Sequence, residues 1–181
     1  MNIIIKIFIA FVCVCTSAAN ANWVDKQGNI VPDSDNMKSS RGLIVQQVTT
    51  DNEQEVLKNW GTPSQTVYFP TSDRIERNKI ITTFMVFGGC ATDSDGNCNL
   101  RMQITVYQPD GKIYSKLPNM EVWSGKPVPP NKSLGLSVDY MRVIIEDGEQ
   151  LGKYRIDTKI IDINSDNNIL LTSYFTAIEN Q

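Results

Sequence analysis

The sequence predicts a mostly β protein: an antiparallel immunoglobulin-like β-sandwich carrying one short N-terminal helix. Three observations point there. Short runs rich in β-branched and aromatic residues follow one another with compact turns between them, no helical periodicity is interleaved after residue 61, and Leu100 to Tyr107 alternates apolar and polar residues cleanly.

The first residues, MNIIIKIFIAFVCVCTSAANA, carry one positive charge at Lys6, an apolar run from Ile7 to Val14 and a small-residue end at Ala19, Asn20 and Ala21. This is the pattern of a secretory signal peptide, residues 1–21. The run is too short to cross a hydrocarbon core of about 30 Å, and no later segment reaches the roughly 20 apolar residues of a spanning helix. Cys13 and Cys15 both follow valine, whereas lipoprotein processing needs a small residue before the cysteine, so ordinary cleavage is expected. The mature chain is then periplasmic or secreted and soluble, with no integral membrane span. Its length, about 160 residues, suits one domain with a real core.

Residues 22–42 are rich in Asp, Asn and Ser without an apolar period and read as a polar irregular leader; residues 43–181 form the sandwich domain. Leu43 to Val48 (LIVQQV) reads as a strand. The segment TTDNEQEVLKNWG then predicts a helix over Asn52 to Trp60, with Asp51 as N-cap and Gly61 as stop. Thr66 to Phe69 and Lys79 to Phe87 read as strands, the second buried on at least one face. In Leu100 to Tyr107, Leu100, Met102, Ile104 and Val106 point inward and Arg101, Gln103 and Thr105 outward. Pro109, Asp110 and Gly111 supply turn chemistry, so Lys112 to Ser115 returns as a hairpin. EVWSGKPVPPN, with three of the eight prolines, is a loop or an irregular sheet edge. Strands near Leu136 to Glu146, Lys153 to Ile163 and Ile169 to Ala177 complete the domain, with no internal repeat.

The chemistry is bounded mainly by what is missing. The chain has no histidine, which removes Ser-His-Asp and Cys-His catalysis and the usual zinc and haem ligand sets. After signal cleavage only Cys90 and Cys98 remain, eight residues apart, and in an oxidising compartment they read as a structural disulfide. The enclosed ATDSDGN places Asp93, Asp95 and Asn97 at alternating positions, a superficial calcium-loop pattern. Counted from Asp93, however, Gly96 falls fourth and Ile104 twelfth, where an EF-hand needs glycine sixth and glutamate twelfth. No metal and no cofactor are therefore expected. No Ser-x-x-Lys opens a helix, and Ser124 and Lys126 lie only two apart in the proline-rich segment. Glu121, Asp139 and Glu146 could form a hydrolytic carboxylate pair only if the fold brought two of them together. The net charge of −3, about −4 without Lys6, repels phosphate backbones, so nucleic acid is not an expected partner.

Tyr154, after the turn DGEQLG and just beyond Gly152, has the spacing of an immunoglobulin tyrosine corner, with Ile156 standing where antibody domains carry a cysteine; the alternative is an edge aromatic. Trp60 ends the helix and packs it on the sandwich. Trp123, beside a Ser-Gly turn, either fills a sandwich edge or presents a binding surface.

Four segments, FGGCATDSDGNCNL, YQPDGKIY, EVWSGKPVPP and LGKYRIDTKIID, together resemble an uncharacterised family of small exported bacterial β-sandwich proteins. That family shares a GC-x-GNC segment, a PDG turn and a W-x-G-x-P-x-P loop, along with a D-x-LG-x-Y strand start. The resemblance spans about Thr66 to Ile178. It implies export from a bacterial cell and a sandwich, and it transfers no activity and no site residue. The present chain departs from it in its longer, more polar leader.

The function expected from these features is a non-catalytic module of the cell envelope that binds a protein or envelope component. Its surface is expected at Asp95 in the disulfide loop, Gly111, Trp123, Pro127, Pro129 and Pro130, if those loops gather at neighbouring edges. The alternatives are a secreted inhibitor or immunity-type protein presenting the Cys90 to Cys98 loop, and a carboxylate-dependent envelope hydrolase. Nothing in the sequence sets the oligomeric state.

Overall fold

The computed structural model describes residues 23, 27–60, 69–129 and 133–180. The signal-peptide segment and Pro130 lie outside the described residues, as does all of the Thr66 to Phe69 strand except Phe69, which belongs to no strand. Among the described residues the chain is mostly β, with two five-stranded sheets and one helix.

The first sheet contains β1 (Met37–Ser40), β2 (Leu43–Thr50), β4 (Ile80–Gly88) and β7 (Gly135–Leu136) in that order, with β8 (Met141–Ile144) also paired to β4. The second runs β3 (Arg74–Glu76), β10 (Asn167–Ile178), β9 (Gly152–Asp162), β5 (Asn97–Tyr107), β6 (Ile113–Pro127). Every pair is antiparallel except β3 with β10, which is parallel and corrects the fully antiparallel expectation. A short strand in the long connection from helix to β4 enters beside β10 in the same direction, something no local turn signal could announce.

Period-two alternation builds the core. On β5, Cys98, Leu100, Met102, Ile104 and Val106 are buried; on β9, Tyr154, Ile156 and Ile160 are; on β10, Ile169, Leu171, Phe175 and Ala177 are. These join Leu43, Val45, Ile81, Met85, Phe87, Met141 and Val143 of the first sheet in one buried cluster, so both sheets contribute to the same core. The approach is close where Gly135 faces Phe87: a Cβ there would lie 2.3 Å from the ring.

Strand β4 is buried on both sides. Its outward residues Phe84 and Val86 form a second cluster with Val48, Leu136 and Val56 of the helix α1 (Glu53–Trp60), and Trp60, Phe69 and Tyr140 pack around it. The helix cap is Asn52 and not Asp51. Asn52 Oδ1 accepts from the Glu55 amide at 3.2 Å while Glu55 Oε2 accepts from Asn52 Nδ2 at 2.7 Å, a reciprocal arrangement at the spacing of a capping box. Glu53 then fastens the first turn to β8 and β4: it accepts from both nitrogens of the Arg142 fork, from the Tyr140 hydroxyl and from Thr82 Oγ1. The Arg142 hydrogen bond holds its carboxyl below the usual carboxylate range.

Three further expectations change. The leader is not irregular throughout, because Met37–Ser40 pairs with β2 as β1. The single strand expected over Leu136 to Glu146 is split: Ser137 takes both main-chain groups of Met85, after which Val138 and Asp139 swing across to donate to Val122 and Glu121 of β6, and only then does the chain return as β8. EVWSGKPVPPN is the edge alternative, since Glu121 to Pro127 ends β6, whose pairing with β5 shifts register repeatedly.

The corner before β9 gathers four elements. Tyr154, fully buried, donates its hydroxyl to the Gln150 carbonyl at 2.6 Å, stacks on Phe175 at 5.0 Å and meets the edge of Tyr114 at 5.6 Å. Arg77 Nη1 donates to the Glu146 and Glu149 carbonyls at 2.7 and 3.0 Å. The Tyr114 hydroxyl lies 2.8 Å from the Ile144 carbonyl and 3.0 Å from Glu149 Oε2. Gly152, at φ 125°, lets the chain turn where a side chain would press on Pro109 at 3.2 Å. Removing the Tyr154 hydroxyl takes its hydrogen bond from the Gln150 carbonyl, so Tyr154→Phe is expected to cost about 0.5–1.5 kcal/mol in urea unfolding, with a native circular dichroism spectrum.

Burial first, and the Glu149 carboxylate next, push the Tyr114 phenol up to about 12. The folded chain holds this proton more tightly than the unfolded chain does. The associated stability is therefore intact below the ordinary phenol value of about 10 and is lost as pH rises toward 12. Urea midpoints should fall over that window, and fall less in Tyr114→Phe.

Candidate functional site

A concave polar feature among the described residues lies where β2 of the first sheet faces β10 of the second. Two short pieces of chain cross this open side. In the first, the Asn36 carbonyl accepts from the Gln47 amide at 2.7 Å on β2, and the neighbouring Asp35 carbonyl accepts from the Thr172 amide at 2.8 Å on β10. In the second, the Ser72 amide donates to the Thr49 carbonyl at 3.0 Å on β2, and the Asp73 carbonyl accepts from the Thr176 amide at 2.7 Å on β10. Each strap spends successive main-chain groups on opposite sheets.

Between the straps is an open cleft of about 730 Å³. Its lining is dominated by hydroxyl, amide and carboxylate groups, with Asp35, Asp73 and Lys153 as its charged members and Val48 its only aliphatic one. Gln47 forms a link beneath it: Nε2 donates to Ser173 Oγ and, at 3.4 Å, to the Ile156 carbonyl, while Oε1 has no partner among the described residues. Tyr174 is 40% exposed, and the Lys153 ammonium sits 4.1 Å from its ring centroid. The Asp35 and Asp73 carbonyls are anchored to β10 residues four apart, so their main chains are roughly 13 Å from each other.

The surface expected from sequence divides into separate places. Cys90 and Cys98 are bonded, with Cα atoms 5.8 Å apart. The loop they close is braced from inside, since Asp93 Oδ1 accepts from the Asp95 and Asn97 amides. It is braced from below too: buried Asp162 accepts from the Ala91 amide at 2.9 Å, and Asn164 Nδ2 donates to the Ala91 and Asn97 carbonyls at 3.0 Å each. Asp95 is exposed at the tip, and the Asp93 carboxylate is occupied by its own loop. Trp123 is half-buried against Phe87, their centroids 5.7 Å apart, and its Nε1 donates to the Pro127 carbonyl at 2.9 Å. Pro127 is exposed at the end of β6, and Pro129 is buried.

Gly111 is not part of this neighbourhood. Asn97 pairs with Pro127 at one end of β5 and Tyr107 with Ile113 at the other, which places the Gly111 turn about 30 Å away along the strand. Trp60 packs on Phe69 in the outer cluster, far in role from any ligand surface. The cleft went unforeseen because its walls are distant in sequence. The available signal was Gln47 itself, a polar residue at the inward position that follows Leu43 and Val45 on β2.

No family model matches the chain, and no curated protein matches it. Among solved structures it is similar to a family 123 glycoside hydrolase from Clostridium perfringens, at 5% identity and a TM-score of 0.43 over 75% of this chain; the chain spans 27% of that enzyme's length. It is similar to the CARDB domain of a Pyrococcus furiosus protein in complex with di-metal ions, at 18% identity and a TM-score of 0.36, covering 60% of this chain and 87% of that one. It is also similar to a Niemann-Pick type C2 protein from Japanese carpenter ant, at 12% identity and a TM-score of 0.38, covering 58% and 79%. Likenesses of this strength assign no activity.

The braced loop yields a stability prediction. Replacing both Cys90 and Cys98 by serine frees a loop of about nine residues in the unfolded chain and is expected to cost about 2.6 kcal/mol by loop-closure entropy. Urea unfolding with and without reductant measures it, and the double variant should be insensitive to reductant.

Proposed function

We propose that this protein is an exported, non-catalytic binding module of the bacterial cell envelope, an immunoglobulin-like sandwich whose ligand surface is the strapped cleft between β2 and β10. The cleft is the observation that carries the reading. It is concave, polar, open to solvent and built from both sheets. The sandwich reading is supported by the shared core and by the Tyr154 hydroxyl returning to the Gln150 carbonyl, the geometry of a tyrosine corner. A disulfide suits an oxidising compartment, and among the described residues no helix is long and apolar enough to cross a membrane.

A second reading, a secreted inhibitor that inserts the Cys90 to Cys98 loop into a target enzyme, is favoured by one observation: residues 92–96 are exposed on a base held by the disulfide, Asp162 and Asn164. Preorganised loops of this kind lose little entropy on docking.

Photo-crosslinking in the exporting cell separates the two. With the crosslinking side chain at Thr71 in the cleft, at Ser94 in the loop or at Ile113 as a remote control, a discrete adduct is expected from Thr71 alone. An adduct from Ser94 alone moves the function to the loop, and none from Thr71 removes the cleft.

A further inference from the structure

We infer that the cleft takes an extended peptide segment, which pairs with the stretch of the β10 edge that lies between the two straps. The inference rests on the cleft being the binding surface and adds the chemistry of its occupant.

Strand β10 pairs with β9 through Thr172 opposite Asp157, Tyr174 opposite Arg155 and Thr176 opposite Lys153. The Thr172 and Thr176 amides point away from β9, since they donate to Asp35 and Asp73. Antiparallel ladders alternate, so Tyr174, midway between them, also turns its amide and carbonyl away from β9, as Thr172 turns its carbonyl. No hydrogen bond engages these three groups among the described residues. They form a row of acceptor, donor and acceptor at strand spacing, facing the cleft.

Sheet edges left open in this way are templates for another chain. Here the straps limit the template. At one end Asp35 and at the other Asp73 already occupy the partner positions, so a long strand cannot run past them, and about three residues of extended chain fill the interval. Entering antiparallel, a ligand residue opposite Tyr174 exchanges both main-chain hydrogen bonds with it. The exposed Asp35 and Asp73 side chains stand at the two ends, against one cation, Lys153. A basic residue on either side of the extended segment therefore complements the charge. The lining holds no deep apolar pocket for a large side chain, so recognition falls on the main chain.

The test uses the mature, disulfide-bonded protein with a library of fluorescent five-residue peptides carrying lysine at each end and randomised between, alongside chitohexaose as a glycan probe. Binding is read by polarisation and by exchange of the Tyr174 amide. A binding peptide should slow that exchange about tenfold or more and lose about tenfold in affinity when its central amide is N-methylated. Tyr174→Pro deletes the cleft-facing donor without removing a bond to β9 and should lose affinity by a similar factor. Tyr174→Thr keeps the donor, removes the ring, and should bind within about threefold of wild type. Equal binding of the N-methylated peptide, or of Tyr174→Pro, overturns the main-chain pairing. Protection of Thr172 and Ser173 by chitohexaose with no peptide bound overturns the peptide and leaves the cleft as the binding surface. Silence of every probe together with no adduct at Thr71 overturns both.

Discussion

The structure depends on two sheets sharing one apolar core, and on the strict two-residue alternation that makes this sharing possible. Inward positions of β5, β9 and β10 meet inward positions of β2, β4 and β8 without a break in the apolar cluster. Continuous inner faces bury most of the apolar surface of a chain of this size, and the helix covers a second, smaller cluster on the outer side of β4. Polar chemistry is then pushed to the turns and to the two open sides.

Those open sides carry the more distinctive features. A sheet edge exposes main-chain groups that must find partners or water. On the β6 side, Val138 and Asp139 supply partners for Val122 and Glu121. On the β10 side, the straps at 35–36 and 72–73 take the Thr172 and Thr176 amides and leave an interval at Tyr174. The cleft exists because the same straps that hold β2 to β10 also keep them from closing, while Gln47 replaces apolar packing beneath it with a hydrogen-bonded link. The link between the sheets and the open space beside it thus come from the same few residues.

The disulfide loop belongs to a different end of the molecule and a different logic. Its base is tied to the β9 to β10 turn by Asp162 and Asn164, and the buried Asn167 continues the same turn to Ser40 through two hydrogen bonds. A buried carboxylate accepting main-chain amides is costly to leave unpaired, so this end is rigid for reasons beyond the sulfur bond.

What the sequence determined by itself is what period and turn chemistry encode locally. The alternation over Leu100 to Tyr107, a helix over Glu53–Trp60 and the turn at Gly111 could be read residue by residue, because side chains on a strand point to opposite faces and Asp-Gly turns need no distant help. Local pattern was a poorer guide to which of two neighbouring polar residues caps the helix, Asp51 or Asn52, because the choice rests on a hydrogen bond with Glu55. Tertiary structure alone decided everything that joins residues far apart in the chain. It paired β3 parallel to β10, split the strand after Leu136 by a detour to β6, parted Gly111 from Trp123 by most of the length of β5, and brought residues 35, 47, 72 and 174 to one cleft. The physical reason is that edges acquire their partners only after the core has set which edges lie side by side.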